Sequence, residues 1–360
     1  MLSRTVSSSL AVATNHPNHL AEKSENRCDR NDSIASAPVE PQSPKPIPTP
    51  SNGPDAFREL NTNGPEIPST SKYKMHREIE GDFGIGIQMF EYQQKNGWKE
   101  ACLAKVFHKT YSQEHRRKEY NIHDYLGELC MGRHVLWLRN KEKDTDGTVY
   151  FFLEYASQGT LEAILQQKKR LDVETAHRWF CNLIEAVRFI HHYGVAHLNL
   201  NPVNMFVTQS GVLKIAGFSD ADHHRQEGNE RLREEHDEEN REGRLFQKPV
   251  GNPAFRAPEC HLERGYEARP VDVWACAIVL VKMLTGATPW KNALANEDRD
   301  YKIWEQLGVF KAGFKDLIPV DALKLVKLML NADPIKRVKP MAIAGHDFFN
   351  RKFNDPAAEE

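Results

Sequence analysis

The residues of this sequence best spaced for chemistry are three asparagines and a glycine. His197, Leu198, Asn199, Leu200, Asn201, Pro202, Val203 and Asn204 run together, and Gly217, Phe218 and Ser219 follow a short way downstream. Side-chain amides donate and accept hydrogen bonds, but they carry no basic site for a proton and make a poor ligand set for Mg²⁺, which prefers carboxylates and phosphate oxygens. Gly217 has no side chain to offer. Upstream, a segment from Ile79 to Gln88 holds Gly81, Gly84 and Gly86 and is followed, past a turn at Asn96 and Gly97, by a strand-like run from Ala101 to Phe107 that contains Lys105. Glycines in a hairpin let backbone N–H groups approach phosphate oxygens, and a lysine on the next strand neutralises them. Glycines also mark ordinary hairpins, so residue types alone leave both readings of this segment open.

Several elements must position these groups. Ser112 through Leu126 reads as a helix, and it contains Arg116, Arg117, Lys118 and Glu119. Glu119 is the candidate partner of Lys105, the alternative being a solvated pair with a neighbouring base. Strands are expected around His134 to Leu138 and Thr148 to Leu153. Asp172 to Tyr193 is the clearest amphipathic helix: Val173, Ala176, Phe180, Leu183, Val187 and Ile190 recur at three- and four-residue steps, Asp172 can cap it, and Gly194 can end it. His191 and His192 near its end lack matching metal ligands, so they are expected at the helix-end surface.

The order and spacing of these motifs resemble the protein kinase superfamily, whose catalytic loop H-R-D-L-x-x-x-N is followed by the metal-binding D-F-G. Asn204 stands where the family has its loop Asn. Asn199 replaces the proton-accepting Asp, Asn201 the usual Lys of Ser/Thr kinases, and Gly217 the metal-binding Asp. Leu198 replaces the arginine that clamps an activation-loop phosphate. Gly251, Asn252, Pro253, Ala254, Phe255, Arg256, Ala257, Pro258 and Glu259 match G-T-P-x-Y-x-A-P-E, with Asn252 in place of Thr. By the same resemblance, Lys105, Glu119, Gly81 and Gly84 belong to a nucleotide site. The hinge from Glu154 to Ala156 would receive adenine on its backbone, with Leu153 as gatekeeper. The glycine loop departs from its pattern, since Ile79 holds the first glycine position. His197, Phe218, Glu259, Asp272 and Arg337 would be structural: Glu259 and Arg337 as a buried pair, and Asp272 as the support of the loop backbone. Within the superfamily, Phe152 to Leu161 and Pro270 to Leu280 look most similar to the DNA-damage checkpoint effector kinases of the calmodulin-kinase-like group.

The resemblance implies an α+β, bilobal fold over residues 73–353, with a small β-rich lobe at 73–155 and a larger helical lobe at 156–353. Residues 1–72 are rich in Ser, Pro and Asn and lack hydrophobic periodicity, which predicts a disordered tail; 354–360 form a second tail. A single early arginine makes a poor basic face, so a plain tail is preferred over a mitochondrial presequence. Pro38, Pro41, Pro44, Pro46, Pro48 and Pro50 favour polyproline II, either as an SH3- or WW-type ligand or as a stiff spacer. Arg225 to Arg244 packs eight acids and five arginines into an expected solvated loop.

Over 360 residues, 40% are hydrophobic and 27% charged, with a net charge of −2. Nothing in that balance calls for nucleic acid or an anionic membrane, and the longest apolar run, Val273 to Leu284, is too short to span a bilayer. Six scattered cysteines without a CxxC pair point to packed, reduced thiols and a cytoplasmic or nuclear setting. The expected function is that of a pseudokinase: a kinase-like module that binds ATP without Mg²⁺-dependent transfer, or binds none, and acts through protein partners such as an active kinase or its substrates. The alternative is a residual Ser/Thr kinase in checkpoint-type signalling.

Overall fold

A five-stranded antiparallel sheet forms the first layer of the computed structural model, which describes residues 73–82, 85–93, 99–224 and 245–353. Its strands are β1 (Tyr73–Asp82), β2 (Ile85–Gln93), β3 (Lys99–Phe107), β4 (Leu138–Lys143) and β5 (Val149–Glu154), in the order β1-β2-β3-β5-β4. Strand β3 buries Ala101, Cys102, Leu103 and Ala104 in succession, as a central strand covered on both faces does. Lys105 therefore leaves the sheet at a fixed height, opposite Ile87 on one side and Phe151 on the other. Gly81 lies in β1 opposite Gly86. Phe83 and Gly84 fall outside the described residues, as do the tail at 1–72, the charged run at 225–244 and the tail at 354–360.

Helix α1 (Gln113–Cys130) follows β3 and starts at Ser112, whose hydroxyl accepts from the His115 N–H. The helical region follows: β6 (Gly159–Thr160), α2 (Leu161–Lys168), α3 (Val173–His192), β7 (Val195–Ala196), β8 (Met205–Val207), β9 (Leu213–Ile215), β10 (Asp222–His223), β11 (Leu245–Phe246), β12 (Tyr266–Glu267), α4 (Ala268–Thr285), α5 (Arg299–Leu307), α6 (Val320–Met329) and α7 (Pro340–Ile343). Three small sheets join β6-β8-β9, β10-β7 and β11-β12. Asp172 caps α3 by accepting the Thr175 N–H at 2.8 Å, and Gly194 turns the chain at φ +79° just beyond the helix end. Helix α4 is apolar nearly all round, with Val271 through Val281 buried without a break, and serves as the central post of the larger lobe. The whole is a mixed α+β fold in which an antiparallel sheet precedes a helical region.

Two sequence expectations need correction. The strand expected over His134 to Leu138 begins only at Leu138. The apolar residues before it serve a different contact: Val135 bridges to Ile215 in parallel, and the Leu136 N–H donates to the Ile215 carbonyl at 2.9 Å, so this segment ties the sheet lobe to the helical lobe. His191, expected at the surface, is buried because its Nε2 bonds the Asp272 carboxylate at 2.8 Å; His192 is the exposed member of the pair. Five cysteines are described, all free, and four of them are buried. No helix among the described residues is long and apolar enough to cross a membrane.

Candidate functional site

The site lies where the turn after β7 and the start of β8 meet the end of β9, below β3. Asp272 on α4 holds its floor. One carboxylate oxygen accepts the His197 N–H and the other the Leu198 N–H, both at 2.8 Å, while His191 bonds the first. Burial alone would raise this carboxyl, but the His191 hydrogen bond and charge and the bond from the His197 N–H keep it below the ordinary range. These bonds hold Leu198 in a left-handed conformation, φ +62°, that a leucine adopts at a cost of about 1–2 kcal/mol. The His197 ring is fully buried, and burial lowers its pKa, so it stays neutral. Its Nδ1 accepts the Asn199 N–H at 3.3 Å, and its Nε2–H donates to the Ala216 carbonyl at 3.0 Å.

The cleft face of the same loop is a web of amides. Asn199 Oδ1 accepts from Asn201 Nδ2 at 2.8 Å and from the Asn252 N–H at 3.1 Å, and Asn199 Nδ2 donates to Asp220 at 2.8 Å. Asn201 also caps the short helix at Pro202–Asn204 by accepting the Val203 N–H at 3.0 Å. Asn204 Nδ2 donates to the Asn199 carbonyl at 3.0 Å, and the Asn204 carbonyl accepts the Ala216 N–H at 2.9 Å. Gly217 is buried at φ +78°, and a Cβ on it would lie 2.2 Å from Asn204 Oδ1. The Asn204 side chain thus occupies the place where a residue at 217 would begin. Next to it Phe218 is fully buried, its ring 5.0 Å from that of His197 and 5.1 Å from that of His123 on α1, which fixes the register of the segment.

Above the loop, Lys105 Nζ pairs with Glu119 Oε1 at 2.6 Å, with the carboxylate almost wholly out of solvent, so these two sequence candidates meet. Glu154 is drawn elsewhere. Its side chain pairs with Lys214 at 2.5 Å and accepts the Trp137 N–H at 3.2 Å, and its own N–H donates to the Trp137 carbonyl. Ala156 is buried, and its carbonyl accepts the Gly159 N–H at 3.0 Å. Gly81 sits in the sheet, and Gly84 is outside the described residues. The remaining structural candidates are a buried bidentate pair: Arg337 Nη1 and Nη2 meet the two Glu259 oxygens at 2.5 and 2.9 Å, and the guanidinium also serves the carbonyls of Pro270 and Asn331.

Two contacts at this site were not anticipated from sequence. Asp220 reaches the Asn199 amide, and Asp222 pairs with Lys118 on α1 at 2.8 Å. The acids beyond Phe218 were visible as residue types, but residues 218–220 form a turn, where no periodicity fixes the direction of a side chain.

Mg²⁺ does not fit this donor set. The loop contributes one amide, Asn204, whose oxygen lies against the Gly217 backbone, and no carboxylate projects from 217, whereas Mg²⁺ in such sites takes one or two carboxylates beside phosphate oxygens.

Comparison with known proteins points to one family. The protein kinase domain family matches residues 73–349. The serine/threonine-protein kinase chk1 of Schizosaccharomyces pombe is 30% identical over 223 residues, covering 61% of this chain and 42% of the relative. The serine/threonine-protein kinase grp of Drosophila melanogaster is 29% identical over 236 residues, covering 64% and 42%. CBL-interacting serine/threonine-protein kinase 3 of Arabidopsis thaliana is 26% identical over 292 residues, covering 80% and 61%. The chain thus spans between two fifths and three fifths of the length of these relatives.

Proposed function

The chain belongs to the protein kinase domain family, of the Ser/Thr type and distantly similar to the chk1 and CBL-interacting kinases, and from that premise we propose that it is a pseudokinase, a kinase-like module working through protein contacts. ATP binding is typical of the family. The observation that carries the proposal is the Gly217–Asn204 contact: no side chain projects from 217, and the one retained amide is turned into that space. In the family, the loop carboxylate accepts the substrate proton and the D-F-G carboxylate holds metal. Asn199 has no basicity for the first task, and positioned proton transfer is worth about 10²- to 10⁴-fold. The losses at 199, 201 and 217 fall on one transition state, so their effects need not add.

What persists is the scaffold. Asp272 and the Glu259–Arg337 pair hold the larger lobe in shape, which supports a role in presenting a surface to an active kinase or to its substrates. The measurement is transfer of radiolabelled phosphate from ATP by the full chain, with Lys105→Ala as control. No transfer is expected; transfer that Lys105→Ala abolishes would overturn the proposal.

A second reading, residual Ser/Thr kinase activity, is favoured by the Ser/Thr kinases among the relatives and by Asp220, whose carboxylate lies 2.8 Å from the amide at the proton-acceptor position. Under this reading Asp220→Asn removes whatever transfer the wild-type chain has. Transfer unchanged in Asp220→Asn sinks that role for Asp220.

A further inference from the structure

Adenine, held by hydrogen bonds to the backbone of Glu154 to Ala156, would have to lie flat between side chains of the two lobes beside that backbone. The side chains the structure puts there are Leu103 from β3, which is the ladder partner of Leu153, and Phe206 from β8. Both belong to one buried apolar cluster with Leu153, Ala156 and Ala216, so Phe206 and Ala216 from the helical lobe enter the core of the sheet lobe at the hinge. Atoms in van der Waals contact are about 3.5–4.0 Å apart, so a base lying between two side chains needs them roughly 7–8 Å apart. A slot of that width in a protein without ligand leaves its walls wet. These walls are dry: Leu103, Leu153, Ala156 and Ala216 are each 2% exposed, and Phe206 is 5% exposed although it carries a whole aromatic ring.

Several hinge groups take partners within the chain. The Glu154 N–H donates to the Trp137 carbonyl, the Glu154 carboxylate is divided between Lys214 and the Trp137 N–H, and the Ala156 carbonyl takes the Gly159 N–H. Glu119 uses one carboxylate oxygen for Lys105. That pair is closed at 2.6 Å and largely buried, and the second Glu119 oxygen is buried without a hydrogen-bond partner among the described residues.

We infer that Phe206 and Leu103 close the adenine slot, so that this cleft takes up no purine nucleotide and the Lys105–Glu119 pair works as a strut between β3 and α1. The inference rests on the non-catalytic reading above and sharpens it, since a pseudokinase that binds ATP and one that binds none differ in what can regulate them.

The test is binding, not transfer. The full chain is titrated with ATP and with a fluorescent ATP analogue, with and without Mg²⁺, and melting is followed in parallel. The wild-type chain is expected to give neither a fluorescence change nor a melting shift. Phe206→Ala and Leu103→Ala/Phe206→Ala open the slot, and the double variant is expected to bind at least about tenfold more tightly than wild type. A nucleotide-dependent melting shift in the wild-type chain overturns the inference, as do folded variants that remain silent. Should both variants fail to fold, the wild-type titration decides alone: silence supports the closed slot, and a shift removes it. Wild-type binding without phosphate transfer would overturn this inference and leave the pseudokinase reading standing, whereas transfer would overturn both.

Discussion

The two faces of one loop differ sharply in this molecule. The rear face rests on α4 and the buried charges around that helix, each with a full complement of partners: Asp272 receives the N–H groups of His197 and Leu198 and the His191 ring, and Arg337, which serves the Pro270 carbonyl at the start of α4, is bound by Glu259 and the Asn331 carbonyl. The cleft face consists of Asn199, Asn201 and Asn204, which bond one another, Asp220 and nearby backbone N–H groups, beside a glycine. The groups that shape a kinase domain and the groups that run its chemistry are thus physically separable. A carboxylate on the rear face cannot be lost without leaving buried N–H groups unpaired, whereas cleft-face carboxylates can be replaced by amides that satisfy each other locally.

The comparison breaks first if the rear face proves dispensable. Arg337→Ala leaves the Glu259 carboxylate buried without its partner and also removes the guanidinium lying 5.0 Å from the Trp274 ring. Removing one member of a buried pair costs about 3–5 kcal/mol, a large share of a domain's stability. Chemical denaturation of the two proteins checks it. A loss below about 1 kcal/mol would show that the pair adds little and that the contrast between the faces is not energetic.

Acid gives the next effect. His123 on α1 is fully buried, with Nε2 2.6 Å from the Leu136 carbonyl, and burial lowers its pKa to about 4. Its unfolded value is about 6.5. Between those values the unfolded chain binds the extra proton, so the contribution is complete above about 6.5 and is lost as the pH falls toward about 4. At one pKa unit per 1.36 kcal/mol, the full loss is about 3 kcal/mol. His197, lowered in the same direction by the same cause, adds to the slope. Stability measured from neutral pH down to about 4.5 is therefore expected to fall, and to fall less steeply in His123→Gln. Equal slopes would mean that the buried histidines are not what acid attacks.

Gly217 probes the opposite face. A side chain there meets two costs: a left-handed backbone, worth about 1–2 kcal/mol for any L residue, and the Asn204 oxygen 2.2 Å from the new Cβ. Gly217→Ala is expected to lose about 2–3 kcal/mol, falling to the backbone cost of about 1–2 kcal/mol in an Asn204→Ala background. Equal losses in both backgrounds would show that Asn204 swings aside freely, and that the space at 217 is open to a restored carboxylate.

Much of this arrangement is legible in the sequence, the site through motif resemblance and the helix ends through local backbone rules. The Lys105–Glu119 pair was legible through the resemblance to kinases, which places the helix carrying the acid directly after the strand carrying the lysine. The N-cap at Asp172 and the turn at Gly194 follow from local rules that tertiary contacts rarely override. What sequence did not disclose is how side chains settle after a charge is lost. Nothing in the string of letters says that Asn204 turns toward Gly217, that Asp220 turns back to Asn199, or that His191 leaves the surface for Asp272. Nor does periodicity reveal that Val135 and Leu136 pair across the lobes with Ile215 before β4 begins. Those outcomes depend on which neighbour is nearest once the chain has folded, and the neighbours come from distant parts of the sequence.

The finest test concerns the charge that has moved within the loop. Asn199 donates its amide to the Asp220 carboxylate, so a negative charge stands at 220 where the family carries one at 199. Asn199→Asp, the obvious attempt at restoration, places two carboxylates within hydrogen-bond distance. One of them must then hold a proton, or the two must separate, and a lost bond to a charged acceptor, discounted because both side chains are partly exposed, amounts to about 1 kcal/mol. The exchange Asn199→Asp/Asp220→Asn restores a donor opposite an acceptor and is expected to recover most of that loss. If Asn199→Asp alone is as stable as the wild-type chain at neutral pH and no carboxyl in it titrates above the ordinary range by NMR, the Asn199–Asp220 bond contributes nothing. The cleft face would then be a set of independent losses and not, as the geometry has it, a network rebuilt around them.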